Sequence, residues 1–176
     1  MARKGALGPV GALAVIAGVV AAAGAIGRRT SPTDDHPAIR DWYRKLDKPA
    51  FTPPPIVFGL AWPLIETSLA WGAYRLLRRP SAPERNTALA VLLAEQAGLA
   101  AWNELYFGRR RLGAGTVAAA GLAVAAGGYV AIAERADPRA AASAVPLAAW
   151  LGFATVLAGS VRRRNAGKRA AADTQA

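Results

Sequence analysis

Five long stretches nearly free of charge constrain this chain more than any other feature: residues 6–26, 55–77, 87–107, 112–132 and 140–161. Of the 22 Lys+Arg and 11 Asp+Glu in the chain, only Glu66, Arg75, Glu95 and Glu104 fall inside them. A soluble amphipathic helix carries a charge every few residues on its wet face, and these stretches do not. Each is also long enough, at about 1.5 Å per residue, to cross a hydrocarbon core of roughly 30 Å. The pattern predicts an all-α fold. Residues 1–165 form one bundle of five transmembrane helices, with a long, charged, Pro-rich loop between the first two. A disordered polar tail over 166–176 completes the chain.

The net charge of +11 fits a nucleic-acid binder as well as a membrane protein, and its distribution decides between them. The arginines stand in short runs beside the apolar stretches: 28–29, 78–79, 109–111 and 162–164. Such runs set topology and meet anionic lipid; they are not gathered on one soluble face, so nucleic acid is not an expected partner. The chain has no Cys and one His, which removes disulfides, thiolate chemistry and His-based metal sites. No phosphate-loop, serine-hydrolase or zincin string occurs. Neither a catalytic residue nor a metal ligand is expected.

With five spans, one side collects eight basic residues and the side bearing the first loop and the C-terminus collects fourteen. The positive-inside bias places that loop and the C-terminus in the cytoplasm. High Ala, Arg and Gly suggests a bacterial cell membrane. A basic start and the small residues 21–25 also fit a signal peptide, but the apolar run exceeds a usual signal core, so a retained helix is expected. The loop over 27–54 holds six basic and four acidic residues and ends in a Pro-rich run from Lys48 to Pro55. Proline fixes φ and lacks a donor, so this run is extended until the second span begins. Residues 40–46 just before it suggest a short interfacial helix, with Trp42 and Tyr43 at headgroup level.

At this junction the chain reads Trp42-Tyr43-x-x-Leu46-x-Lys48-Pro49-x-Phe51-x-Pro53-Pro54-x-x-Val57-Phe58-Gly59-x-x-Trp62. In the last span it reads Pro146-x-x-x-Trp150-Leu151-Gly152-Phe153-Ala154-Thr155-x-Leu157, with Asn165 beyond it, and the third ends in Trp102-x-x-Leu105-Tyr106-Phe107-Gly108. These strings resemble the signature of the TspO/MBR family, the tryptophan-rich sensory proteins. The resemblance covers nearly the whole chain. It implies a homodimeric five-helix bundle whose pocket opens toward the first loop. The implied ligand is a porphyrin-type small molecule, protoporphyrin IX or haem, bound by a sensor, receptor or carrier. A tetrapyrrole would be a ligand and not a required cofactor. By position the pocket tryptophans are Trp62 and Trp150, with Trp42 and Tyr43 from the loop. The alternative implied function is light- and oxygen-dependent porphyrin breakdown, or a degenerate member with an altered ligand.

The residues themselves fit that placement. Trp150 lies mid-span, where an interfacial anchor does not belong, and Phe153 and Ala154 share its face. Trp71 is nine residues from Trp62, about 180° around the helix; Trp62 is therefore assigned to the pocket and Trp71 to packing or lipid. A porphyrin needs flat apolar walls, which indoles supply, and a basic rim for its propionates, for which Lys48, Arg44 or Arg40 are available. The candidate ligand-binding set is Trp42, Tyr43, Lys48, Phe58, Trp62, Glu66, Glu95, Trp102, Pro146, Trp150, Phe153 and Ala154.

Departures from the family pattern are also legible. Phe51 and Ile56 stand where the family has Trp, Glu95 where it has Gln, Leu99 where it has Asn, and Ala158-Gly159 where it has Asn-Tyr. The last removes the tyrosine of the sterol-consensus motif, so sterol binding of that type is not expected. Two mid-span carboxylates, Glu66 and Glu95, are functional candidates by default. Facing one another across the pocket, they would share a proton or bind a polar ligand group; a neutral interhelical hydrogen bond accounts for them equally well. Small residues at Ala90, Ala94 and Gly98 suggest a close helix contact on the third span.

Overall fold

A computed structural model describes the backbone over residues 4–173 and side chains over 4–166. Among the described residues the chain is helical with no strand. It runs α1 (Pro9–Arg28), α2 (Pro37–Lys45), α3 (Pro55–Leu77), α4 (Pro83–Asn103), a π-helical turn (Glu104–Gly108), α5 (Leu112–Ala136), α6 (Pro138–Ala142) and α7 (Val145–Asp173). Five of the helices begin on a proline, whose missing N–H is not needed in the first turn and whose φ is already helical.

Among the described residues, four helical stretches are long and apolar enough to cross a membrane: Pro9–Arg28, Pro55–Leu77, Leu112–Ala136 and Pro138–Ala166. Helix α4 is 21 residues long, but Glu95 and Gln96 at its middle and Asn86 and Asn103 near its ends lower its hydropathy. Both mid-helix polar residues are turned inward and buried. The short helix expected over 40–46 starts earlier, at Pro37. The backbone of α7 continues to Asp173, so it is helical through most of the region expected to be a disordered tail; residues 174–176, and the side chains from 167, lie outside the described set.

The span expected over 140–161 is broken between α6 and α7. Pro146 has no N–H for the preceding turn. Ser143 Oγ donates to the Ala140 carbonyl at 2.7 Å, and Ser68 Oγ on α3 donates to the Ser143 carbonyl at 2.7 Å. Gly72 permits this approach: a Cβ there would run into Ser143 Oγ and stand 3.1 Å from the Ala140 carbonyl. The main core gathers Ile65, Leu69 and Leu76 of α3, Ala88 and Leu92 of α4, Tyr129 of α5, and Leu147 and Leu151 of α7. A second cluster, built on Tyr106, Leu112, Leu157 and Val161, packs beneath the connection that carries α2.

Asp137 holds the opposite end of the bundle. It is 2% exposed and accepts from Arg75 Nε at 3.0 Å, from Arg79 Nε at 2.9 Å, and from the backbone N–H groups of Arg139 and Ala140 as the cap of α6. Burial pushes its carboxyl pKa up; the hydrogen bonds from Arg75 and Arg79 more than reverse this, leaving it below the usual value.

Candidate functional site

Helices α3 and α7 bring together Trp62 and Trp150, the two tryptophans expected from the sequence to line a pocket. Trp62 and Trp150 meet edge-to-face with centroids 6.3 Å apart, and Phe58 meets Trp150 at 5.5 Å. Phe153, one turn along α7, lies 5.6 Å from Trp150. Its other neighbour is Phe51 at 6.4 Å, the aromatic of the Pro-rich run. Edge-to-face pairing follows from the ring quadrupole, and the spacing of Phe58 to Trp62 and Phe153 to Trp150 places each pair on one helix face. Ala154 beside them is half-buried.

A second aromatic group adjoins the first through Phe58 and Phe153, which also pack on the Tyr106 cluster. Trp102 stacks on Tyr106 at 4.8 Å, and its indole N–H donates to the Gly115 carbonyl at 2.8 Å. Phe107 meets Trp102 at 5.5 Å and Tyr43 at 5.3 Å. Tyr106 and Phe107, both in the π-helical turn, also touch each other edge-to-face at 5.0 Å, so the three rings form one compact group. Burial raises the Tyr43 phenol pKa. The Arg110 guanidinium lies over Trp42 at 5.6 Å. Together these rings join the loop helix α2 to the bundle.

Lys48, Pro146, Glu66 and Glu95 stand outside the contact of Trp62 with Trp150. The Lys48 Nζ donates to the Arg44 and Leu46 carbonyls and lies 4.6 Å from the ring centre of Tyr43, on the loop side of the second aromatic group. Burial lowers its pKa. Pro146 is exposed. Glu66 and Glu95 do not pair. Four residues carry Glu66 some 40° beyond Trp62 around α3, where α4 offers Gln96, whose Nε2 donates to Glu66 Oε2 at 3.3 Å. That pair lines a groove of about 180 Å³ walled by Val15, Val19, Leu69 and Leu92. Glu95, one residue from Gln96 and so about 100° away, is 2% exposed with neither carboxylate oxygen hydrogen-bonded. It shares its helix face with Leu92 and Leu99, which pack in the core group that includes Trp62 and Trp150. An unpartnered buried polar group costs about 1–3 kcal/mol. Glu95→Leu is therefore expected to raise the unfolding midpoint in detergent; a lower midpoint would mean that Glu95 has a stabilising partner.

One contact not assigned from the sequence ties the loop to α7. Asn165 is buried; its Oδ1 accepts from the Asp47 N–H at 3.1 Å and its Nδ2 donates to the Asp47 carbonyl at 2.9 Å. The signal in the sequence is an asparagine directly after the arginine run 162–164 that ends the last apolar stretch. Asn165→Ala is expected to cost about 1–2 kcal/mol and to speed proteolysis between residues 29 and 54. Unchanged cleavage would show that the aromatic contacts and the Arg164–Asp47 ion pair at 3.5 Å suffice to hold the connection.

The TspO/MBR family model matches residues 14–164. The chain belongs to the TspO/MBR family. It is similar to the translocator protein of Homo sapiens, 31% identical over 130 residues that cover 73% of this chain and 77% of the relative. The Sus scrofa translocator protein is 31% identical with the same coverage, and that of Bos taurus 30% over 66% of this chain and 70% of the relative. Membership together with its apolar helices makes this an integral membrane protein of the translocator or sensor type. As a TspO/MBR member its aromatic residues at 42, 58, 62, 102, 150 and 153 all lie within the matched region.

Proposed function

We propose that the chain is a five-span membrane receptor or carrier that binds a tetrapyrrole of the protoporphyrin IX or haem type against Trp62 and Trp150. In this reading α4 is the fifth span, its mid-helix Glu95 and Gln96 turned inward and away from lipid. The observation that carries the reading is the contact of Trp62, Trp150, Phe58 and Phe153 at mid-bundle, directly beneath the connection bearing α2. Rings 6.3 Å apart edge-to-face leave no gap for a flat macrocycle. Binding therefore turns the indoles and lifts the Phe51 segment, which is exposed and touches Phe153 alone among aromatics. The Glu95 carboxylate, having no partner, accepts from the pyrrole N–H groups, and the basic residues of the loop meet the propionates. The exposed small residues Ala90, Ala94, Ala97 and Ala101 of α4 offer a homodimer contact, and anionic lipid surrounds the arginine runs. The loop and C-terminus face the cytoplasm of a bacterial cell.

The test is quenching of tryptophan fluorescence in the detergent-purified protein by protoporphyrin IX. Saturation near micromolar ligand, with a weaker response in Trp150→Phe, is the expected result. Quenching that never saturates and is identical in the variant would be partitioning into detergent, and the proposed ligand would fall.

A further inference from the structure

We infer that the end of the bundle away from α2 holds a site for the phosphate of an anionic phospholipid headgroup, formed by Arg75, Arg78 and Arg79 around the buried Asp137. The site is a recess of about 550 Å³ lined by Tyr74, Arg75, Arg78, Arg79, Pro80 and Asp137. Three guanidinium groups and one carboxylate line it, a local charge of +2. Asp137 is saturated, with two arginines and two backbone N–H groups on its oxygens. It thus holds Arg75 through Nε and Nη2 and Arg79 through Nε, and leaves the other donors of both for a second acceptor. Arg75 Nη1 and both terminal nitrogens of Arg79 have no hydrogen-bond partner among the described residues. Arg78 does not touch Asp137; its Nη1 donates to the Leu7 carbonyl at 3.0 Å, which leaves Nη2 open. Fixed guanidinium forks match phosphate oxygens in pairs. The carbonyl end of α3 opposes an anion by about half a charge, which two net positive charges outweigh.

The depth of the recess selects a lipid as the source of the phosphate. Arg75 stands 5.1 Å from the Trp71 ring centre and Arg78 6.0 Å from that of Tyr74, at the end of an apolar helix where such rings mark headgroup level. Trp71 is 48% exposed, and exposed apolar surface of α3, including Leu64 at 71%, continues from it toward the bilayer centre. A headgroup in the recess would leave its acyl chains along that surface.

Native mass spectrometry of the full-length protein in detergent, titrated with phosphatidylglycerol or phosphatidylcholine, tests the site. Phosphatidylglycerol is expected to bind about tenfold more tightly, and Arg78→Gln/Arg79→Gln to abolish that preference. Arg28→Gln/Arg29→Gln removes the same charge at the other end of the bundle and should leave the preference intact. Arg78→Gln alone, remote from Asp137, should lower it about threefold and serves if the double variant unfolds. An equal loss in both double variants would overturn the site in favour of general electrostatics. An unchanged preference in the Arg78 and Arg79 variants would overturn it outright. Displacement of the lipid by equimolar inorganic phosphate would overturn the lipid as its occupant.

Discussion

Asp137→Ala is expected to destabilise the protein by about 3–5 kcal/mol. The carboxylate is 2% exposed and is the shared acceptor of Arg75 and Arg79, residues 62 and 58 positions away on α3. Removing it leaves two guanidinium groups facing each other across a half-buried gap. It also uncaps α6, a loss of about 1 kcal/mol. Asp137→Asn keeps the cap acceptor but not the charge, and should recover roughly that share. The pH dependence has a defined sign. Because the folded carboxyl titrates below its usual value, its contribution is complete above about pH 4, where an unfolded Asp is ionised, and is lost as pH falls through the folded value. The wild-type unfolding midpoint should therefore drop on acidification below about pH 4 more steeply than that of Asp137→Asn. Equal slopes would show that Asp137 does not carry the acid sensitivity.

Trp150→Leu should weaken protoporphyrin IX binding by at least about tenfold, while Trp71→Leu leaves it unchanged. Trp150 is the one ring in contact with Phe58, Trp62 and Phe153 together. Each aromatic contact is worth about 0.5–1.5 kcal/mol beyond area, and about 1.4 kcal/mol is a factor of ten. Leucine retains part of the apolar volume, so the fold survives at a cost below the roughly 3–5 kcal/mol expected of alanine. Trp71 is on the opposite face of α3, exposed beneath Arg75. Equilibrium dialysis against the ligand gives both affinities; equal values for the two variants would remove Trp150 from the binding site.

The helices were legible because an apolar run has one reading once it is long enough. Residues 55–77 were expected and Pro55–Leu77 is the helix. The proximity of Trp62 and Trp150 could be expected from motif and helical face. The partners of charged groups could not. Spans that are apolar all round carry little information about rotation, so nothing local said that Glu66 would meet Gln96 in preference to Glu95. The Asp137 arginines and the Asn165 clasp on Asp47, 118 residues away, likewise depend on which helices adjoin. The break at Ser143 is hidden by the unbroken apolar run of 140–161, and its one local signal is Pro146, whose lack of an N–H interrupts the helical ladder.

The most direct test of the proposed tetrapyrrole site uses the photochemistry of protoporphyrin IX itself. Bound protoporphyrin IX is illuminated in air, so that singlet oxygen oxidises the nearest rings, and peptide mass spectrometry then maps the oxidation. The expected result is modification concentrated at Trp62 and Trp150, with lipid-facing Trp71 little changed although it is the more exposed residue. Oxidation that follows exposure, with Trp71 ahead of Trp62 and Trp150, would contradict binding in the aromatic site.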